Sequence, residues 1–281
     1  MVCADDFGLD DAVNAAVEQA SRDGILTCAS LMVGAPACAD AVARARRLPR
    51  LGVGLHLNLV EGRPVLPPEQ VPDLVDQSGD FDANMLRAGC RFFFGRRARR
   101  QLAAEIRAQF AAFRATGLAL DHVNAHRHMH LHPTVARLIV QIGGEFGLRA
   151  MRVPAEPQRV LRRAAAAEGS RVFPPLYAPW IALLRRRLRR AGLVLNDHLL
   201  GLAWTGAMTE ERVLRLVAAL PPGTSELYCH PAVAQTERLR RTMPHYRPVD
   251  ELAALLSLRV RAAIESGGIA LVRYADLAAA P

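Results

Sequence analysis

Short apolar runs of strand length alternate along the chain with longer stretches of helical period. Runs near 1–5, 26–33 ("LTCASLMV"), 52–59 ("GVGLHLNL"), 118–124 ("LALDHVN"), 148–153, 194–200, 225–230 ("SELYCH") and 269–273 read as strands. Helical periodicity fills 10–23, 36–48, 97–115, 133–146, 178–191, 209–219 and 248–266, several of these opened by Asp, Thr or Pro caps. That alternation predicts an α/β chain with a parallel sheet, doubly wound or closed into a barrel. No repeat or linker divides it, so residues 1–281 are expected to form a single domain. The longest irregular stretch, about 61–96, carries four prolines and reads as a loop excursion over a site.

Polar residues that interrupt the apolar strands fall at equivalent places. Asp5 and Asp6 close the first strand, and His56 sits late in the third. "NAHRHMHLHP" (124–133) follows the fourth, Arg152 ends the fifth, Asp197 and His198 lie in the sixth, and His230 ends the seventh. In a parallel barrel the carboxyl ends of all strands share one face, so these residues are expected to converge. Two adjacent buried carboxylates repel each other and lose hydration unless a positive charge sits beside them, and with histidines converging on them that charge is expected to be a metal ion. Within the histidine run, an extended backbone would place His126, His128, His130 and His132 on one face. A helix would instead pair 126 with 130 and 128 with 132.

Composition narrows the chemistry. All 36 basic residues are Arg, which excludes lysine-based catalysis. The net charge of +9 and a pI near 10.3 favour anionic partners, with local excess in 95–100, 161–171 and 183–190. Five scattered cysteines form no CxxC pair, and neither a signal segment nor an 18-residue apolar run is present. These features predict a soluble cytoplasmic protein, at most peripheral to the inner membrane. "RFFFG" (91–95) has three consecutive phenylalanines that cannot all face one core, so at least one is expected on the rim of the site, where it would meet an apolar part of the substrate. A different segment suits contact with an anionic membrane. "WIALLRRRLRRAGL" (180–193) puts Trp180, Leu184, Leu188 and Ala191 on one helical stripe, with Arg185, Arg186, Arg189 and Arg190 around it. A metallophosphoesterase on a similar barrel would want more acidic ligands than these. A nucleic-acid-binding protein would want aromatic residues among its arginines, so no nucleic-acid partner is expected.

Four motifs, "ADDFGL", "GLHLNLVEG", "NAHRHMHLHP" and "ELYCHPA", resemble in order and spacing those of the YdjC-like carbohydrate deacetylases. The stretch at 23–49 most resembles the hopanoid-biosynthesis-associated HpnK branch. The resemblance implies a TIM-like, irregular (β/α) barrel holding one divalent ion, Zn2+ or Mg2+, through Asp6, His56 and His126. It implies Asp5 as general base and His230 as catalytic acid in the deacetylation of an N-acetylated amino sugar, in that branch an N-acetylglucosaminyl group on a hopanoid lipid. The family commonly has Asp-Ser where this chain has Asn124-Ala125, which leaves the register among His126, His128 and His130 open. Arg152 is expected either to orient the sugar or to hold Asp5 ionised, and His128 and Asp197 are further candidates for substrate contact.

Overall fold

A computed structural model describes residues 1–164 and 178–279; the part of the Arg-rich run 161–171 from residue 165 onward lies outside them. Six strands, β1 (Val2–Phe7), β2 (Cys28–Leu31), β3 (Gly52–Leu57), β4 (Val123–Ala125), β5 (His198–Leu200) and β6 (Ser225–Cys229), form one parallel sheet in the order β4-β3-β2-β1-β6-β5. Every residue of β1 to β4 is buried, which explains why they read as continuous apolar runs.

The sheet curls but does not close, and the expected closed barrel is corrected on this point. Between β4 and β5, among the described residues, there are only two isolated parallel bridges, Val123↔Met151 and Ala150↔Val194. At Asn196 the pairing is interrupted. Its side chain accepts from the Val153 N–H at 2.7 Å and donates to the Val153 carbonyl at 2.9 Å, standing in for the backbone at that one position. Segment 148–153 is therefore no regular strand. Segment 269–273 is not one either. It leads into a short helix, Tyr274–Ala278, whose Tyr274 packs into a small buried cluster with Met1, Cys3, Cys28 and Ala150.

The helices needed below are α1 (Asp11–Asp23), α2 (Cys38–Ala45), α3 (Met85–Phe94), α4 (Arg96–Ala115), α5 (Pro133–Gly144), α6 (Gln158–Ala164) and α7 (Ala178–Arg190). The predicted helix 248–266 breaks at Ser257, whose hydroxyl accepts from Val260 N and caps a second helix. The excursion 61–96 is pinned from beneath. Buried Glu105 of α4 accepts from the Val65 and Leu66 N–H groups, and Gln101 from that of Asp73. On α7, Leu184 and Leu188 of the predicted stripe are buried against the fold, while Trp180 is half-buried and Ala191 exposed. Arg185 and Arg189 are held by Asp197 and by the backbone carbonyls of Asn196 and Asp197.

Candidate metal centre

Successive residues of a regular strand point to opposite faces, so adjacent carboxylates should not share a site. A bulge in β1 resolves this. Ala4 pairs with Ala29 but Phe7 with Leu31, giving β1 one extra residue, and Asp6 takes φ 61°. This left-handed conformation is costly for a residue with a side chain, and here it turns the second carboxylate toward the first.

Asp6 Oδ1 lies 3.2 Å from His56 Nε2 and 3.2 Å from His126 Nδ1. The donor atoms of the three residues all lie within 4.8 Å of one another. The outer nitrogen of each imidazole is tied down. His56 Nδ1 is 2.6 Å from Asn124 Oδ1. The Asn124 amide is oriented by its own donors, which reach Asp5 Oδ1 at 3.2 Å and Ser30 Oγ at 2.9 Å. Asn124 Oδ1 therefore accepts from His56 Nδ1–H, and the lone pair of His56 is on Nε2, a buried atom with no hydrogen-bond partner. On the other ring, His126 Nε2 is 3.3 Å from Glu61 Oε2, and Arg127 holds Glu61 through Oε1 at 2.9 Å. Both rings thus turn their inner nitrogen toward Asp6, the arrangement of a metal-ligating histidine whose far N–H is anchored.

Electrostatics agree with the geometry. Burial opposes charge on Asp6, but His126 and His56 outweigh it and hold the carboxyl well below its usual range. Burial likewise opposes charge on His126, yet Asp6 and Glu61 raise its pKa to about 9. Two carboxylates that keep His126 protonated this strongly make a negative well, and the orphaned lone pair of His56 faces the same spot. This donor set fits a divalent cation.

Asp5 is held differently. Arg152, wholly buried, donates to its two oxygens at 2.5 and 2.9 Å and to Glu226 Oε1 at 2.9 and 2.7 Å. Tyr274 donates to the other Glu226 oxygen at 2.6 Å. Burial would raise the Asp5 carboxyl, but Arg152 and then His56 keep it below the ordinary carboxylate range. Arg152 is thus engaged by Asp5 and Glu226, and it holds the Asp5 carboxyl ionised.

The remaining candidates separate. His230 follows β6, its ring between Tyr228 and Tyr246 and its Nδ1 buried without a partner; burial keeps its pKa below the ordinary imidazole value. The Glu251 carboxylate, pushed up to about 7 by burial, accepts from the His230 backbone N–H. Neither backbone expected for the histidine run is found. Arg127 and His128 take φ of 52° and 54° inside a kinked turn, so the imidazoles diverge. His126 reaches Asp6, His128 lies edge-on to Tyr228, and His130 Nδ1 accepts from Ala125 N at 3.1 Å. His132 packs against Phe92 and Phe93. Asp197 is not brought to the site. It precedes β5, at the amino end of the sheet, where it accepts from Thr224 N and pairs with Arg189. A second group, Cys28, Asp121 and His122, lies near the amino ends of the strands with both His122 nitrogens in hydrogen-bond contact.

Glu61, Glu226 and Asn124 were not assigned roles from sequence. Each left a signal: Glu226 is an acid inside an apolar strand, Asn124 an amide in another, and Glu61 an acid next to glycine within the "GLHLNLVEG" motif.

The family described as YdjC-like protein matches residues 1–266. A carbohydrate deacetylase of Vibrio vulnificus (strain CMCP6) is 32% identical, over 99% of this chain and 96% of its own length. One of Geobacillus stearothermophilus is 28% identical, over 98% and 96%. A crystal structure from Enterococcus faecalis V583, described as a cellobiose-phosphate cleavage protein, is similar with a TM-score of 0.77 and 25% identity, covering 99% of this chain and 97% of that one.

Proposed function

The chain belongs to the YdjC-like protein family, and from that premise we propose that it is a carbohydrate N-deacetylase, which hydrolyses the acetamide of an N-acetylated amino sugar to acetate and a free amine. The observation that carries the reading is the convergence of Asp6, His56 and His126, with the inner nitrogen of both imidazoles turned toward Asp6, beside a second, independently held carboxylate. Asp6, His56 and His126 would hold one divalent ion, and two imidazoles with one carboxylate suit zinc better than magnesium. Such an ion supplies polarisation of the acetamide carbonyl and acidifies bound water.

The chain's own groups do the rest. Asp5 stays ionised, and Arg152 and Asn124 leave part of its lone-pair capacity free to accept the proton of the attacking water. His230 stands ready to carry a proton to the departing nitrogen. Because burial favours its neutral form, it acts as donor only after taking up the proton that Asp5 has accepted from the attacking water. His128, edge-on to Tyr228, would contact the sugar. Residues 1–281 would act as one catalytic unit.

The finer substrate reading is an N-acetylglucosaminyl group linked to a hopanoid lipid, supported by the resemblance of residues 23–49 to that branch. A phosphoesterase is disfavoured because the further acid closest to Asp6 in sequence, Asp5, is already neutralised by Arg152. Incubating purified protein with an N-acetylglucosaminyl lipid and with a soluble chitooligosaccharide, before and after chelation and metal restoration, tests the proposal through acetate release. No acetate from either substrate at full metal loading would overturn it.

A further inference from the structure

Helix α3 reverses the usual amphipathic order. Ala88 and Phe92 face the core, while Leu86, Cys90, Phe93 and Phe94, at i, i+4, i+7 and i+8, share an exposed face. Leu86 is 84% exposed, Phe94 76% and Phe93 49%. The two phenylalanine rings brace each other at 4.9 Å between centroids. A face of this kind loses hydration free energy in water and calls for a cover.

The cover is constrained by what surrounds it. Phe93 forms one wall of a groove of about 660 Å³ that runs between α4, α5 and α7, with Trp180 and Leu184 on the opposite side. Trp180 Nε1 donates to the Leu131 carbonyl at 2.8 Å, and Phe93 packs against His132. The groove therefore borders the same turn that carries His126. Leu183, 40% exposed, continues the apolar surface along α7. Arg99, Arg137 and Arg187 line the groove, and no carboxylate among the described residues pairs with them. Arg99 donates to the Phe93 carbonyl at 3.3 Å, and Arg187 lies over the Trp180 ring at 5.8 Å. Protruding leucine and phenylalanine, a tryptophan at the border and a wholly cationic rim together match the interface of an anionic bilayer.

We propose that α3, the groove and the amino end of α7 form a docking surface for an anionic phospholipid leaflet, with Leu86, Phe93 and Phe94 entering the acyl boundary and Arg99, Arg137 and Arg187 meeting phosphate. A second copy of the chain is a poorer occupant, because a two-fold contact through this face would set the three arginines against their own mates. The proposal does not depend on which acetylated substrate the site takes.

The test is cosedimentation with phosphatidylcholine vesicles, either neutral or with about 30% phosphatidylglycerol, in the absence of any sugar substrate, so that failure of docking and failure of deacetylation are read apart. Wild-type protein is expected to pellet with the anionic vesicles at about 50 mM salt and to be released as salt rises. Leu86→Ser/Phe93→Ser/Phe94→Ser should bind at least about tenfold more weakly. Arg99→Gln/Arg137→Gln/Arg187→Gln should bind about a hundredfold more weakly, and both variants should keep the wild-type Tm. Brominated acyl chains should quench Trp180, with Trp180→Phe as the control for buried Trp204. Protein that stays in the supernatant with both vesicle types overturns the proposal, as does pelleting that the apolar variant leaves unchanged. Salt-resistant capture of an oligonucleotide that depends on Phe93 and Phe94, or self-association lost in the same variant, would assign the face to another occupant and overturn it too.

Discussion

Replacing Arg152 with methionine removes the cation that Asp5 and Glu226 share while keeping most of the buried volume, so the response should be electrostatic. At about 4 Å between charge centres and an effective dielectric near 20, each carboxylate attracts the guanidinium by about 4 kcal/mol. Two partners give roughly 8 kcal/mol, from which several are subtracted for burying the guanidinium, so the net loss should be about 3–5 kcal/mol. Against a total stability of about 5–15 kcal/mol, the variant should still fold. Its urea midpoint should fall by about 1–1.7 M, taking an m-value near 3 kcal/mol/M. The pH dependence carries the sign. In the wild type the Asp5 pKa is depressed, so its stabilisation is present above the ordinary carboxyl pKa and is lost as pH falls. Without Arg152 the burial that already opposes the charge loses its main counterweight, and the carboxyl should rise. The penalty then applies above the raised pKa and fades as pH falls through it. The deficit relative to wild type should therefore be larger at pH 7 than at pH 5. A midpoint shift under about 0.3 M at pH 7, or equal deficits at both pH values, would refute the account. Arg152→Lys should recover part of the stability but little of the acetate release, since one ammonium cannot reproduce the two-pronged hold on Asp5.

Asp5→Asn should keep its metal and lose acetate release by about 10²–10⁴-fold, whereas Asp6→Asn should lose the metal as well; swapped phenotypes in a metal analysis would exchange the roles. Glu61→Ala and Asn124→Ala should each weaken metal binding by about 10–100-fold in competition with a chelator, because each frees an imidazole to rotate or change tautomer. Unchanged affinity would contradict the assignment of the inner nitrogens. In metal-free protein, burial and then Arg152 pull the His128 pKa down to about 3, so its contribution is present above the ordinary imidazole pKa and drains away below it, by about 2 kcal/mol between pH 7 and pH 5. His128→Gln should flatten the stability profile by that amount, and parallel profiles for the two proteins would exclude the contribution. His126 acts in the opposite sense: its pKa of about 9 gives a stabilisation that is full below the ordinary imidazole pKa and is lost as pH rises through 9.

What could be read from the sequence, and what could not, follows from one physical asymmetry. A polar side chain inside a buried strand costs free energy unless it is partnered, so Asp5, Asp6, His56 and His230 announced a shared purpose without any knowledge of their partners. The β1–β3 and β6 strands were legible for the complementary reason, since a parallel sheet covered on both faces needs unbroken apolar runs. Geometry that hangs on one residue was not legible. The bulge that turns Asp6 toward Asp5 leaves "ADDF" looking like any strand end, because its signature is a single left-handed φ. Asn196 stands in for the backbone at one position where the pairing is interrupted, and a lone amide in "LVLND" does not distinguish that from a turn. The histidine run misled by its own regularity. Alternation implies a period-2 or helical backbone only where the backbone is regular, and Arg127 and His128 abandon both. The same limit applied to the membrane reading. On α7 the middle of the predicted stripe, Leu184 and Leu188, is core while Trp180 is only half-buried, because a helix of the outer layer shows the same period whether its apolar side faces the sheet or a bilayer. In "MLRAGCRFFF" the apolar residues outnumber what one core face can take, and that surplus carried the information, since only an excess over the core's demand must find something else to touch.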